Sequence, residues 1–191
     1  LTTVNVHTAN LRSDRVLEFL RSADADVILL IEVNARWMQE LEPLRTTHTN
    51  VIAEPRSDNF GIALFSRLPW TNATVINVGS AEVPSIETTI LLGANQVRLL
   101  GTHPLPPASS PYAWYRNDQL RVIAGWARKQ NPPVIVAGDL NTTPWSPYFG
   151  RLLRESGLQN TSQGLGLFNS WPAELPVGRI PLDHCLVSPA I

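Results

Sequence analysis

The chain has 191 residues, with 15 Lys+Arg against 16 Asp+Glu and a formal net charge of −1. That balance excludes a basic arm, and 43% hydrophobic with 16% charged residues excludes low-complexity disorder, so the length fits one domain around one core. The single cysteine, Cys185, excludes a disulfide framework, which a chain burying about 70% of its unfolded surface does not need.

In chain order, residues 2–7 read as a strand and residues 13–21 as a helix with Val16, Leu17 and Leu20 on one face. Residues 27–31 are consecutive apolar positions between Asp26 and Glu32, the pattern of a strand buried on both faces. Trp37, Leu41 and Leu44, spaced i, i+4 and i+7, predict a helix that stops around residues 43–45. Strand-like runs at 50–53, 60–66, 74–78, 87–92 and 96–102 are separated by turn residues, which predicts an antiparallel meander. A Pro- and Ser-rich loop, residues 104–111, precedes a helix capped by Asn117 or Asp118 and running to residue 130. Residues 133–139 read as another buried strand, and Ser146-Pro147 as an N-cap with proline at the first helical position, opening a helix to about residue 156. Residues 159–181 show no clear periodicity, and a last apolar run, 185–187, follows Leu182-Asp183-His184. Helices between some strands and hairpins between others imply a mixed sheet system without repeats.

Polar residues stand at the ends of these strands, where sheets covered by helices bind their ligands. Glu32 is a hard oxygen ligand suited to Mg²⁺, or else a solvated carboxylate ahead of a helix. Asp139 and Asn141 would project from one face of an extended strand as a base and a phosphate donor, or else form a turn. His103 is either a donor to developing negative charge or a surface residue. Asp183 and His184 are adjacent on a strand and face opposite ways, which makes Asp183 the partner of a different histidine. A zinc set of His7, His103 and His184 has no supporting spacing. The six Trp read as core or lip residues rather than a stacking platform.

The fourteen Arg and single Lys129 are scattered, without the stripe that proteins tracking phosphate backbones carry. No apolar run approaches the ~20 residues of a membrane helix, and no signal peptide opens the chain. Starting at Leu1 rather than Met, the sequence reads as an excised domain, compatible with a membrane anchor upstream; it assigns no compartment.

The order of these segments resembles the endonuclease/exonuclease/phosphatase family, which includes relatives of pancreatic deoxyribonuclease, abasic-site endonucleases and sphingomyelinases. Thr3-Val-Asn5-Val is similar to its first-strand asparagine motif, Val27-Ile-Leu-Leu-Ile-Glu32 to its metal-binding glutamate, and Asn59-Phe-Gly-Ile-Ala-Leu-Phe-Ser66 to its glycine-centred strand. Leu100-Gly-Thr-His103 resembles its Thr-His strand, followed by Arg116 and Gln119, and Val136-Ala-Gly-Asp139-Leu-Asn141-Thr-Thr-Pro resembles its Gly-Asp-x-Asn signature. His7 stands where the abasic-site branch often carries an acidic residue.

The resemblance implies an α/β (α+β) fold, a four-layer sandwich of two packed mixed β-sheets flanked by helices. Residues 1–191 would form it as a single domain lacking its last strand. It implies a divalent-metal-dependent phosphoester hydrolase, whether nuclease, phosphodiesterase or phosphatase, that uses Mg²⁺ or Mn²⁺. Asn5 and Glu32 would hold the metal, Asp139 would align or deprotonate the attacking water, Asn141 would bind phosphate and His103 would stabilise charge on it. Asp183 matches the aspartate that orients the catalytic histidine, expected in a Ser-Asp-His-x-Pro stretch beyond Ile191. The alternative is a non-catalytic binding or scaffold domain of the same fold. The partner is a phosphoester, with nucleic acid disfavoured by the even charge.

Overall fold

Five apolar residues in a row, with no polar alternation, require cover on both sides of a strand. The computed structural model describes residues 1–166, 168–172 and 177–191. In it β1 (Thr2–Asn5), β2 (Val27–Ile31), β3 (Asn50–Glu54) and β4 (Ile62–Ser66) form a four-stranded sheet in the order β1-β2-β4-β3. β5 (Trp70–Asn77), β6 (Pro84–Leu92), β7 (Asn95–Gly101), β8 (Val134–Asp139), β9 (Gln159–Asn160) and β10 (Asp183–Val187) form a six-stranded sheet in the order β5-β6-β7-β8-β10-β9.

Every residue of β2 is buried. Val27, Leu29 and Ile31 pack with Ile62 and Leu64 against Ile86, Leu99 and Ala137 of the second sheet, which makes the core between the sheets. Ile28 and Leu30 point the other way, to Leu20 of α1 (Ser13–Ala23) and Trp37 of α2 (Ala35–Glu40). On the far side, Leu100, Val136 and Leu186 meet Leu120 and Ile123 of α3 (Ser110–Arg128) and Phe149 and Leu152 of α4 (Pro147–Ser156). The result is the expected helix–sheet–sheet–helix sandwich.

Three expectations need correction. The run of antiparallel strands is not one meander, because β3 and β4 pair in the first sheet and the chain then crosses to the second for β5, β6 and β7. α2 ends at Glu40, before residues 43–45, and a 3₁₀ turn over Glu42–Thr46 continues it, since Pro43 has no N–H to extend an α-helical ladder. α3 starts at Ser110: the Ser109 hydroxyl accepts from the Tyr112 N–H and Pro111 occupies the first turn, so the loop composition concealed a cap. Asp118 instead accepts from the Ser80 N–H and hydroxyl, and Asn117 from Arg116 Nε. The Ser146-Pro147 start of α4 stands as expected. The aperiodic stretch 159–181 holds only β9 and a bridge between Trp171 and Ile180 among the described residues; residues 167 and 173–176 of it lie outside them.

Gly138 sits at φ 141°, and a Cβ there would lie 1.9 Å from the Thr102 carbonyl oxygen. Only a residue without a side chain lets β8 pass this close to the end of β7. Gly138→Ala is expected to cost at least ~2 kcal/mol in denaturant unfolding, because both the contact and the dihedral must relax.

Candidate functional site

Strand direction assembles the site. β1 and β2 run parallel, so Asn5 and the residue after Ile31, Glu32, emerge at one end of the first sheet. β7 and β8 also run parallel, which brings His103 and Asp139 out at one end of the second. β10 is antiparallel to β8 with Asp183 in register opposite Asp139, so its first residue reaches that same end. Asn5, Glu32, His103, Asp139 and Asn141 all line one cleft of about 850 Å³, walled also by Phe60, Tyr112 and Trp171.

The contacts are specific. Asn5 Nδ2 donates to Glu32 Oε1 at 2.7 Å, while Asn5 Oδ1 accepts from the His7 N–H at 3.0 Å. Thr8 Oγ1 donates to the Glu32 carbonyl at 2.9 Å. Glu32 is therefore no cap for α2, a task performed by Asn34, whose side chain accepts from the Trp37 N–H. Asp139 Oδ1 accepts from the Asn141 N–H at 2.9 Å, and Asn141 Nδ2 donates to the Pro104 carbonyl at 2.9 Å. Of the two readings of Asp139 and Asn141, the turn is the one present: β8 ends at Asp139 and Asn141 turns to φ 47°, so the pair does not project from one face of an extended strand. Four non-glycine residues of the cleft, His7, Glu32, Asn59 and Asn141, have φ between 47° and 67°. Backbone strain held in place by its surroundings marks a functional region.

Burial sets the electrostatics. It pushes the Asp139 carboxyl up to about 7, helped by the negative charges of Asp183 and Glu32 and opposed by hydrogen bonding from Asn141 and Asn5. Burial also lowers His103 to about 4 against the pull of Glu32, so the imidazole is neutral at physiological pH. Its 3.9 Å approach to Asp139 Oδ2 is accordingly not an ion pair, and its ring packs on Phe60 with centroids 5.5 Å apart. His103 Nδ1 and Asp183 Oδ1 are buried without a hydrogen-bond partner, a costly state that invites a ligand.

The donor set fits a hard divalent cation. Glu32, Asp139 and Asp183 bring carboxylates near one another, and the positive charge lining the cleft, Arg116, is buried and donates to Asn117 Oδ1 and the Asn141 carbonyl. Among the described residues no group of three His, Cys, Asp or Glu stands ready to chelate a metal unaided. Mg²⁺, which keeps waters and takes substrate oxygens beside one or two carboxylates, needs no such group. The zinc set is not brought together: His184 bonds to the Thr142 carbonyl at 2.8 Å and packs on Phe149, away from His103.

Arg116 and Gln119 carried no role in the sequence reading beyond resemblance. Gln119 Oε1 accepts from the Leu105 N–H at 3.0 Å, so this pair ties α3 to the loops carrying His103 and Asn141. The signal was available: both interrupt the apolar stripe of Leu120, Ile123 and Ala127 on the buried face of α3.

The model of the Endonuclease/Exonuclease/phosphatase family matches residues 2–191. No curated protein matches by sequence. Among solved structures, sphingomyelinase C from Streptomyces griseocarneus is similar with a TM-score of 0.72 at 16% identity, covering 98% of this chain and 82% of that one. A beta toxin from Staphylococcus aureus with bound magnesium ions gives 0.75 at 15%, covering 98% and 82%. D. rerio TDP2 complexed with a single-strand DNA product gives 0.78 at 15%, covering 100% and 84%. At these identities the likeness concerns the fold.

Proposed function

Because the chain belongs to the endonuclease/exonuclease/phosphatase family, we propose that it hydrolyses a phosphoester with the help of Mg²⁺ or Mn²⁺, residues 1–191 acting as one domain. The observation that carries this reading is the convergence of Asn5, Glu32, His103, Asp139 and Asn141, from strand ends of both sheets, on a cleft with more carboxylate than positive charge. Such a cleft repels a phosphate by itself. Glu32 and Asn5 would hold the cation as hard oxygen donors, a pairing consistent with the magnesium ions bound in the similar beta toxin. The bound cation supplies Lewis-acid polarisation of a phosphoryl oxygen.

The remaining roles belong to the side chains. Asp139, titrating near neutrality in its buried place, aligns the attacking water and accepts its proton. Asp183 lies in register beside it and raises its proton affinity. Asn141 has one amide hydrogen committed to the Pro104 carbonyl and keeps the second for a phosphoryl oxygen. His103, neutral, donates a ring N–H to charge developing on the phosphoryl group. The acidic cleft favours a substrate with one or few phosphates over a long polyanion.

The test is hydrolysis of bis(4-nitrophenyl) phosphate by the protein in Mg²⁺ or Mn²⁺. A rate well above buffer that EDTA abolishes is expected. No rate with either metal, or one indifferent to EDTA, overturns the reading and leaves a binding or scaffold domain.

A further inference from the structure

The turn that carries Asn141 is gripped on two consecutive carbonyls by buried side chains from other elements. The Asn141 carbonyl accepts from Arg116 Nη1 of α3, and the Thr142 carbonyl accepts from His184 Nε2 of β10 at 2.8 Å. Beside them the Leu140 N–H donates to the Leu182 carbonyl at 2.9 Å, and Asn141 Nδ2 donates to the Pro104 carbonyl. Asn141 needs this hold, because a non-glycine residue at φ 47° stays there only when its surroundings impose it.

His184 is the member of this grip that the hydrolase reading leaves idle. It lies outside the cleft lining. Successive strand residues face opposite ways, so while Asp183 stands opposite Asp139, His184 turns to the helix layer, 6% exposed, with its ring centroid 4.5 Å from that of Phe149. Burial lowers its pKa against the opposing pull of the Thr142 bond and the Asp183 charge, which leaves a neutral ring with one N–H. A carbonyl only accepts, so that hydrogen is on Nε2. An apolar side chain would fill this place without the desolvation cost of an imidazole, but it could not satisfy the Thr142 carbonyl. Thr142 is itself buried, and its Oγ1 has no hydrogen-bond partner to hold the residue in place. Without the His184 donor the carbonyl stays unpaired or turns away, and the turn moves with it. We propose that His184 is a positioning residue: through the Thr142 carbonyl its Nε2–H fixes the turn that aims the Asn141 amide at a phosphoryl oxygen. The effect on rate rests on the hydrolase reading; the hold on the turn does not.

The test sets His184→Leu, which keeps apolar bulk against Phe149 and removes the donor, beside His184→Gln, whose amide can donate from near the Nε2 position. Steady-state hydrolysis of bis(4-nitrophenyl) phosphate in Mg²⁺ is read together with ¹H–¹⁵N spectra of the imidazole and of the Asn141 side-chain amide. Misplacing a group that acts on the transition state lowers kcat, so His184→Leu is expected to lose about 10- to 10²-fold in kcat with KM little changed, and His184→Gln to recover most of it. The wild-type ring is expected as the Nε2–H tautomer at pH 7, and the Asn141 amide signals to shift or double in His184→Leu but not in His184→Gln. An unchanged kcat in His184→Leu, equal losses in the two variants, or an Nδ1–H tautomer overturns the proposal. Should His184→Leu not fold, the tautomer and the rate of His184→Gln decide in the same way. A wild type that hydrolyses nothing refutes the hydrolase reading; the Asn141 signals then decide the hold, and signals identical in all three proteins overturn it.

Discussion

Asp139→Asn is expected to abolish most hydrolysis while making the metal-free protein more stable at pH 8. Loss of a general base costs about 10²- to 10⁴-fold in rate, and the amide oxygen still accepts from the Asn141 N–H, so the turn survives. The stability gain follows from linkage. Asp139 titrates at about 7 in the folded chain against 3.8 ordinarily. Below the lower value both states carry the proton and nothing is lost. Between them the unfolded chain releases its proton while the folded chain keeps it, so metal-free stability falls as pH rises from 4 to 7. Above 7 the folded state bears a buried carboxylate at a full cost of roughly 4 kcal/mol, at ~1.4 kcal/mol per pH unit. Denaturant unfolding in EDTA at pH 5 and 8 should show this fall in the wild type and little of it in Asp139→Asn. Equal slopes in the two proteins would sink the assignment.

Glu32→Gln is expected to lower Mg²⁺ affinity at least ~10²-fold, beyond what loss of an outer-sphere partner produces, and to remove activity at millimolar metal. Its size is nearly that of the native side chain and its amide can keep a hydrogen bond to Asn5, so thermal unfolding in EDTA should change little. A calorimetric Mg²⁺ titration reads the affinity without relying on turnover. Affinity equal to wild type would mean that the cation sits elsewhere. Glu32 at φ 62° is an unusual place for a long side chain, and such strain persists where the surroundings impose it for function.

Much of the sandwich was legible because burial leaves period and composition in the chain. The unbroken run of β2 demanded cover on both faces, and Ser146-Pro147 announced α4. What failed was local evidence that two structures share. Ser109 and Pro111 sit in a segment whose composition reads as loop, so the true start of α3 was hidden behind it. The change of sheet between β4 and β5 leaves no mark, since antiparallel pairs look alike wherever they lie.

The candidate site residues were legible one at a time, as polar residues closing apolar strands, but their company was not. Asp183 opposes Asp139 only through the register of β10 on β8, a pairing across 44 positions that no local pattern encodes. The perturbed carboxyl of Asp139 depends on that pairing and on burial beneath the Pro104 loop, both tertiary. The Trp residues divided between core and surface: Trp37 is fully buried in α2, whereas Trp114, Trp145 and Trp171 are exposed, and of these three Trp171 lines the cleft.

The most direct measurement is the initial rate of bis(4-nitrophenyl) phosphate hydrolysis against free Mg²⁺, with wild type and Glu32→Gln side by side. The wild-type rate should rise from the EDTA baseline to a plateau, and the Glu32→Gln curve should stay near baseline or shift to far higher metal. A wild-type rate that ignores both Mg²⁺ and EDTA, or a Glu32→Gln curve superimposed on wild type, would contradict a metal-assisted phosphoester site in this cleft.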